Sequence, residues 1–298
     1  MTMDLLRIAD LDPEQLAEIL ARAAAVKAAP QEVAGRLAGK HVGLFFMKPS
    51  TRTRVSAETA TVDLGAHPVI LGQQEVGLGK REAVDDVARV LDRYLDVLAM
   101  RVFDHTDLVA VAENAKAPVI NLLSDEEHPC QALADLQTIA EARPLAGTTL
   151  AYLGDGNNVC HSLMVGAAMS GMTVRVATPQ GYEPQRRYLD VARAHGEVTV
   201  TDNPVEAVRG AHVVYTDVWA SMGQEEEAEA RARRFYPFQV NGPLLAMADP
   251  QAIFLHCLPA HRGDEVTNDV MDHARSRVYD QAENRMHSFK GLLVYLFE

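Results

Sequence analysis

The chain has no CxxC pair; its three cysteines, Cys130, Cys160 and Cys257, lie far apart. That spacing excludes a zinc knuckle and a disulfide framework, and it fits a reducing compartment. No uninterrupted apolar run approaches the roughly 20 residues needed to span a bilayer, so no membrane partner is expected. Basic residues are outnumbered, 28 Lys and Arg against 41 Asp and Glu, for a formal net charge of −13. A nucleic-acid binder needs a basic face to displace counterions, so nucleic acid is not expected as a partner either. Asp4 and Asp10 interrupt the start, no charged-then-apolar leader is expected, and the expected location is cytoplasmic. Solenoid repeats and low-complexity segments are also absent. What remains is 298 residues, 48% hydrophobic and 23% charged, an ordinary globular composition with length for two α/β domains.

Short apolar runs alternate with stretches of helical spacing, the pattern of parallel sheets with crossover helices. In the first half, strands are expected at Val42–Phe46, Val69–Leu71, Val97–Val102 and Val119–Leu123. Helices are expected over Pro13–Ala29, Val55–Leu64, from Arg81, over Asp107–Ala115 and over Ala132–Ala142. Pro144 and Gly147 break the pattern, making 143 to 147 the expected domain joint. A second series follows, with strands at Thr149–Leu153, Val174–Thr178, Val198–Val200, Val213–Thr216 and Ile253–Leu255. Its helices begin near Asn158, Pro184, Pro204 and Gln224, and Glu283–Phe297 closes the chain as a helix. The fold class is therefore α/β: two domains, each a parallel sheet flanked by helices, with the active-site cleft between them.

The densest chemistry lies in Lys48-Pro49-Ser50-Thr51-Arg52-Thr53-Arg54, between a buried strand and a helix. A hydroxyl-rich turn at a helix N-terminus offers free N–H groups and the positive end of the dipole to an oxyanion. Arg52 and Arg54 add planar, bidentate donors for phosphate or carboxylate. A Ser/Thr cap with two solvated arginines is the plainer alternative.

Other candidates also follow strand ends, where ligands lie in sheets of this type. They are Arg101, His128, Gln131, Asn158, Asp217 and Cys257. His128, on the lip of a helix, suits an oxyanion-stabilising donor, although taken alone it reads equally as a cap. Gly154-Asp155-Gly156-Asn157-Asn158 resembles a dinucleotide turn, but Val159 stands where the third glycine belongs and Thr178-Pro179 lacks the ribose-binding acid. Those glycines set a tight turn that presents Asn158. An aspartate at 217 can hold a substrate ammonium group. The charged stretch Glu225 to Arg234 reads as a solvated face with i,i+4 pairs such as Glu227–Arg231. No metal is expected: the histidines and cysteines lack ligand spacing, and His256 and Cys257, adjacent in an extended chain, point to opposite sides.

Together these stretches resemble the aspartate/ornithine carbamoyltransferase family over nearly the whole chain. KPSTRTR and HPCQALAD resemble the signatures shared across the family, while DVWASMGQEEE and FLHCLPAHRGDEV resemble its ornithine-using branch. The resemblance implies transfer of the carbamoyl group of carbamoyl phosphate to the δ-amine of L-ornithine, giving citrulline and phosphate without a cofactor. It implies a carbamoyl phosphate-binding domain at 1–143, with helix 283–298 packing back on it, and an ornithine-binding domain at 147–282. Carried over by position, Ser50, Thr51, Arg52 and Thr53 bind the phosphate, and Arg101, His128, Gln131 and Arg285 hold the rest of that substrate. Asn158, Asp217, Ser221 and Met222 bind ornithine, with Cys257 and Leu258 where the two substrates meet. Arg101, His128, Asp217 and Cys257 carry the chemistry. Gly72 to Gly79 reads as a flexible loop with three glycines; family members often place Gln or His there to serve a neighbouring subunit, and here Gly77 stands at that position. A homotrimer, or a multiple of one, is the implied assembly.

Overall fold

Every strand marked out by the apolar runs is present. The computed structural model describes residues 3–77, 82–220 and 227–298. It divides into two compact units, one comprising Met1–Gln137 with Glu283–Glu298 and the other Thr138–Ala282. The division falls inside a helix, a few residues before the 143 to 147 joint.

In the first unit the chain runs α1 (Pro13–Ala28), β1 (His41–Phe46), α2 (Thr51–Asp63), β2 (His67–Gly72), α3 (Gln73–Val76), α4 (Val84–Leu91), β3 (Val97–Arg101), α5 (His105–Asn114), β4 (Val119–Leu123) and then α6 (Pro129–Ala142), which continues into the second unit. The strands pair in the order β2-β1-β3-β4, all parallel. The order of strand addition reverses between β1 and β3, so the loops leaving those two strands open a crevice at their carboxyl ends. Leu5 adds a parallel bridge to Ile120 and covers the outer edge of β4. One core cluster gathers Phe45, Leu98, Met100, Val102, Leu108 and Val111.

The second unit runs β5 (Thr149–Leu153), α7 (Asn158–Met169), β6 (Thr173–Ala177), α8 (Arg186–His195), β7 (Val198–Thr201), α9 (Pro204–Val208), β8 (Val213–Thr216), α10 (Ala228–Phe235), α11 (Gly242–Leu245), β9 (Ile253–His256), α12 (Asn268–Met271) and the start of α13 (Val278–Leu296). Its strands pair in parallel in the order β7-β6-β5-β8-β9, and the reversal lies between β5 and β8. Ala151, Leu153, Val214, Phe254 and Val270 belong to its core cluster.

Helix boundaries differ from the expectations in ways that matter for function. α2 opens at Thr51 rather than Val55, because the Ser50 side chain accepts the Thr53 N–H as an N-cap. α6 opens at Pro129 rather than Ala132, so Cys130 and Gln131 lie in its first turn. α13 begins at Val278, five residues before the expected start. The expected beginnings near Arg81 and Gln224 lie outside the described residues. The last turns of α13 pack closely on α1 within the first unit: a Cβ at Gly291 would stand 2.6 Å from the Ala23 nitrogen. Lys27 donates to Asn284 Oδ1 at 2.8 Å, and the buried Lys290 pairs with Asp63 of α2. Among the described residues, no helix is long and apolar enough to cross a membrane.

Candidate active site

In the first unit the polar groups converge at the ends of β1, β3 and β4. Arg285, on α13, donates from Nη2 to Thr53 Oγ1 at 3.4 Å and from Nη1 to Gln131 Oε1 at 2.5 Å. Gln131 in turn donates to Asp135 Oδ1 at 2.7 Å, one helical turn further along α6. All four side chains are buried, so the guanidinium is held in a fixed plane against two helix N-termini. Arg101, the last residue of β3, and His128, just before α6, are buried too. Burial pushes the His128 pKa well below its ordinary value, and the positive charges of Arg285 and Arg101 push it further down. The imidazole is therefore neutral at physiological pH, with one N–H to donate.

Ser50 caps α2, while Thr51 and Arg52 are exposed on its first turn. Lys48, not singled out from the sequence, is half-buried over the Phe103 ring at 4.4 Å. Burial, and then Arg101, lower its pKa. A pocket of donors whose cations depress one another's affinity for protons is electrostatically prepared for an anion.

The second unit assembles a different set at the ends of β5, β8 and β9. Cys257 Sγ donates to Asp217 Oδ1 at 2.9 Å, and Asn157 Nδ2 donates to Asp217 Oδ2 at 2.9 Å. Asn157 also caps α7, its Oδ1 accepting from the Val159 and Cys160 N–H groups. Asn158, the residue chosen from the sequence, opens the helix, and its Oδ1 also accepts from Val159 N–H. The neighbour, Asn157, makes the direct contact with Asp217. Its role as the α7 cap fixes Asn157 in place against that carboxylate, and the paired asparagines gave no sequence signal to distinguish them.

The glycines do set a tight turn, with Asn157 rather than Asn158 reaching Asp217 from it. Gly154 has φ +133, and a Cβ at Gly156 would stand 2.3 Å from the Pro184 nitrogen. Ser221 and Met222, expected to bind ornithine, lie outside the described residues. Gly77 itself closes α3 in the left-handed region at φ 59, which a glycine adopts without strain.

His256 and Cys257 do not point apart. Their ligand atoms and that of Asp217 lie within 4.8 Å of one another. β9 ends at His256, so Cys257 has left the alternating strand, and Leu258 is turned to φ 59. His256 Nδ1 accepts from Leu258 N–H at 2.9 Å, which places the ring proton on Nε2, donated to Glu265 Oε1 at 3.1 Å. Both ring nitrogens are thus committed to holding the Cys257–Leu258 turn, and a cation would have to displace those bonds. The charged stretch before Phe235 also departs from a solvated face: Arg231 is only 6% exposed and donates to Asp155 Oδ2 at 2.8 Å.

Two family models match the chain. Residues 3–141 match the carbamoyl-P binding domain of aspartate/ornithine carbamoyltransferase, and residues 146–296 match its Asp/Orn binding domain. A protein of Synechocystis named ornithine carbamoyltransferase is 53% identical over 298 residues, covering 98% of this chain and 96% of the relative. One of Pyrococcus abyssi with the same name is 48% identical, covering 98% and 95%. The solved structure of ornithine carbamoyltransferase from Pyrococcus furiosus superposes with a TM-score of 0.94 at 47% identity, covering 99% of this chain and 97% of that one. That from Thermus thermophilus superposes at 0.91 with 46% identity, covering all of both chains.

Proposed function

Since the chain belongs to the aspartate/ornithine carbamoyltransferase family, we propose that it transfers the carbamoyl group of carbamoyl phosphate to the δ-amine of L-ornithine, releasing citrulline and phosphate. The observation that carries this reading is the Cys257–Asp217 contact. A phosphate sensor on the same scaffold needs the donors of the first unit and has no use for a thiol held against a carboxylate.

Carbamoyl phosphate occupies the first unit. Ser50, Thr51, Arg52 and Thr53 receive the phosphate at the N-terminus of α2, with Arg285 oriented by Thr53 and Gln131. Arg101 and neutral His128 donate to the carbamoyl oxygen. As the amine attacks the carbon, that oxygen takes up negative charge, and donors already aimed at it stabilise the transition state more than the ground state. The carbon–oxygen bond to phosphate then breaks, the departing phosphate takes the proton that the attacking amine gives up, and the arginines and helix dipole stabilise its remaining charge. Ornithine occupies the second unit, with Asn158, Ser221 and Met222 at its amino-acid end. The δ-amine must arrive unprotonated, against an ordinary amine pKa of about 10. Asp217 and Cys257 orient it, and desolvation lowers its pKa. Cys257 and Leu258 contribute to both subsites. The reading extends to a cytoplasmic enzyme of arginine metabolism assembled as a homotrimer or a multiple of one, which sedimentation would measure.

The test compares citrulline production, or its equivalent product, from carbamoyl phosphate with L-ornithine, putrescine, N-acetylornithine and L-aspartate. Strong preference for ornithine is expected. Preference for another amine discards the ornithine subsite, and binding without any turnover favours a sensor.

A further inference from the structure

Resting on the ornithine reading above, we propose that Arg231 is a positioning residue for the acceptor subsite, bracing the loops on both flanks of the Asn157–Asp217 contact. Its Nη1 donates at once to Asp155 Oδ2 and to the Trp219 carbonyl, each at 2.8 Å. Asp155 stands two residues before Asn157, and Trp219 two residues after Asp217. The Asn157–Asp217 bond therefore lies between two points that one guanidinium nitrogen holds together.

A third loop joins the brace. The Arg231 guanidinium lies over the Tyr182 ring at 4.8 Å and near the Phe235 ring at 5.8 Å. The Tyr182 carbonyl accepts from Gly156 N–H at 2.9 Å, tying the segment after β6 to the turn after β5. Trp219 and Tyr182 both pack on Phe235, four residues and about one turn from Arg231 itself. Asp155, Tyr182 and Trp219, which follow β5, β6 and β8, are thus held by one buried cation from α10. Burial raises the Asp155 pKa even with Arg231 beside it, so the carboxylate depends on this partner for its charge. The bond to exposed Glu227, at 3.4 Å, adds little by comparison. Arg231 touches neither Asp217 nor Cys257 among its bonds, so its influence on ornithine passes through the loops.

The experiment measures initial rates of the full-length wild type, Arg231→Met and the double variant Arg231→Met/Asp155→Asn, varying each substrate in turn. Losing a charge-assisted brace is expected to raise KM for ornithine roughly 10-fold or more in both variants, with KM for carbamoyl phosphate within about twofold of wild type. The double variant removes the stranded carboxylate and is expected to regain thermal stability while its ornithine KM stays high. A wild-type ornithine KM in the folded double variant overturns the proposal, as does an equal rise in both KM values. A double variant that does not fold also overturns it, because Arg231 is then structural. A wild type that makes no citrulline from ornithine overturns the functional reading and this assignment with it; normal wild-type turnover beside unchanged variants overturns the assignment alone.

Discussion

Cys257 Sγ donates to Asp217 Oδ1 at 2.9 Å, joining the first residue beyond β9 to the first beyond β8. Adjacent parallel strands bring these ends together, and the His256–Glu265 bond fixes the turn that carries the thiol. Asp217→Asn keeps the shape but loses the charge, and is expected to lower kcat/KM for ornithine about 100-fold. Cys257→Ser keeps a donor and is expected to lose about 10-fold. Both should shift the pH dependence of citrulline formation; profiles superposable on wild type would sink the assignment.

Arg285 is the residue on which the first unit's polar chain turns, reaching Thr53 and Gln131 at once. Replacing it by Met removes a planar donor pair and leaves two buried polar groups without it. The expected loss in kcat/KM for carbamoyl phosphate is about 100- to 1000-fold. Arg285→Lys is expected to recover little, because a point charge cannot serve both partners in one plane. Isothermal titration with carbamoyl phosphate separates lost binding from lost turnover.

Much of this was legible in the sequence because strand ends and caps are local features. Asp12-Pro13 announces α1, and Leu16, Ile19, Leu20, Ala23 and Val26 are all buried as their spacing requires. In α2 the same reasoning yields two apolar lines, Val55 with Val62 and Ala57 with Ala60 and Leu64. The structure buries the second and leaves Val55 and Val62 56% and 55% exposed. Periodicity marks a face but not which neighbour approaches it, and close packing there favours the small residues. Arg231 shows the converse: an i,i+4 pair in a charged run looks solvated until the loop that covers it is known. The role of Asn157 was hidden for a related reason, since it depends on a partner 60 residues away in the sequence.

Proton linkage supplies a third prediction. His128 and His105 are buried with pKa values below the ordinary 6.5, burial being the main cause in each. In the folded state they stay neutral where the unfolded chain takes up protons. Stability therefore falls as pH drops below about 6.5, by about 1.4 kcal/mol per pH unit for each such histidine, until its folded-state pKa is reached. Thermal unfolding of the ligand-free protein between pH 7 and 5 should show this slope. His128→Asn should make it shallower by one proton, and an unchanged slope would contradict the buried neutral imidazole.

Gly156 offers a purely steric test. A methyl group there meets the backbone of Glu183 and Pro184 at 2.5 Å and 2.3 Å. Neither neighbour is a flexible side-chain end, so Gly156→Ala is expected to cost about 2–4 kcal/mol in denaturant unfolding. It should also raise KM for ornithine, since the turn carries Asn157. A variant as stable as wild type would show that the turn yields.

The path of the chain also carries a consequence for synthesis. Residues 138–282 form one unit from a continuous stretch, inserted between the two segments of the other. Arg285 and Lys290, which tie α13 to Thr53, Gln131 and Asp63, are synthesised only after the whole of the second unit. The second unit can fold while the first still lacks α13, and the phosphate-binding donors meet only after residue 285 has emerged. A nascent chain that stalls before residue 285 lacks the guanidinium that joins Thr53 to Gln131.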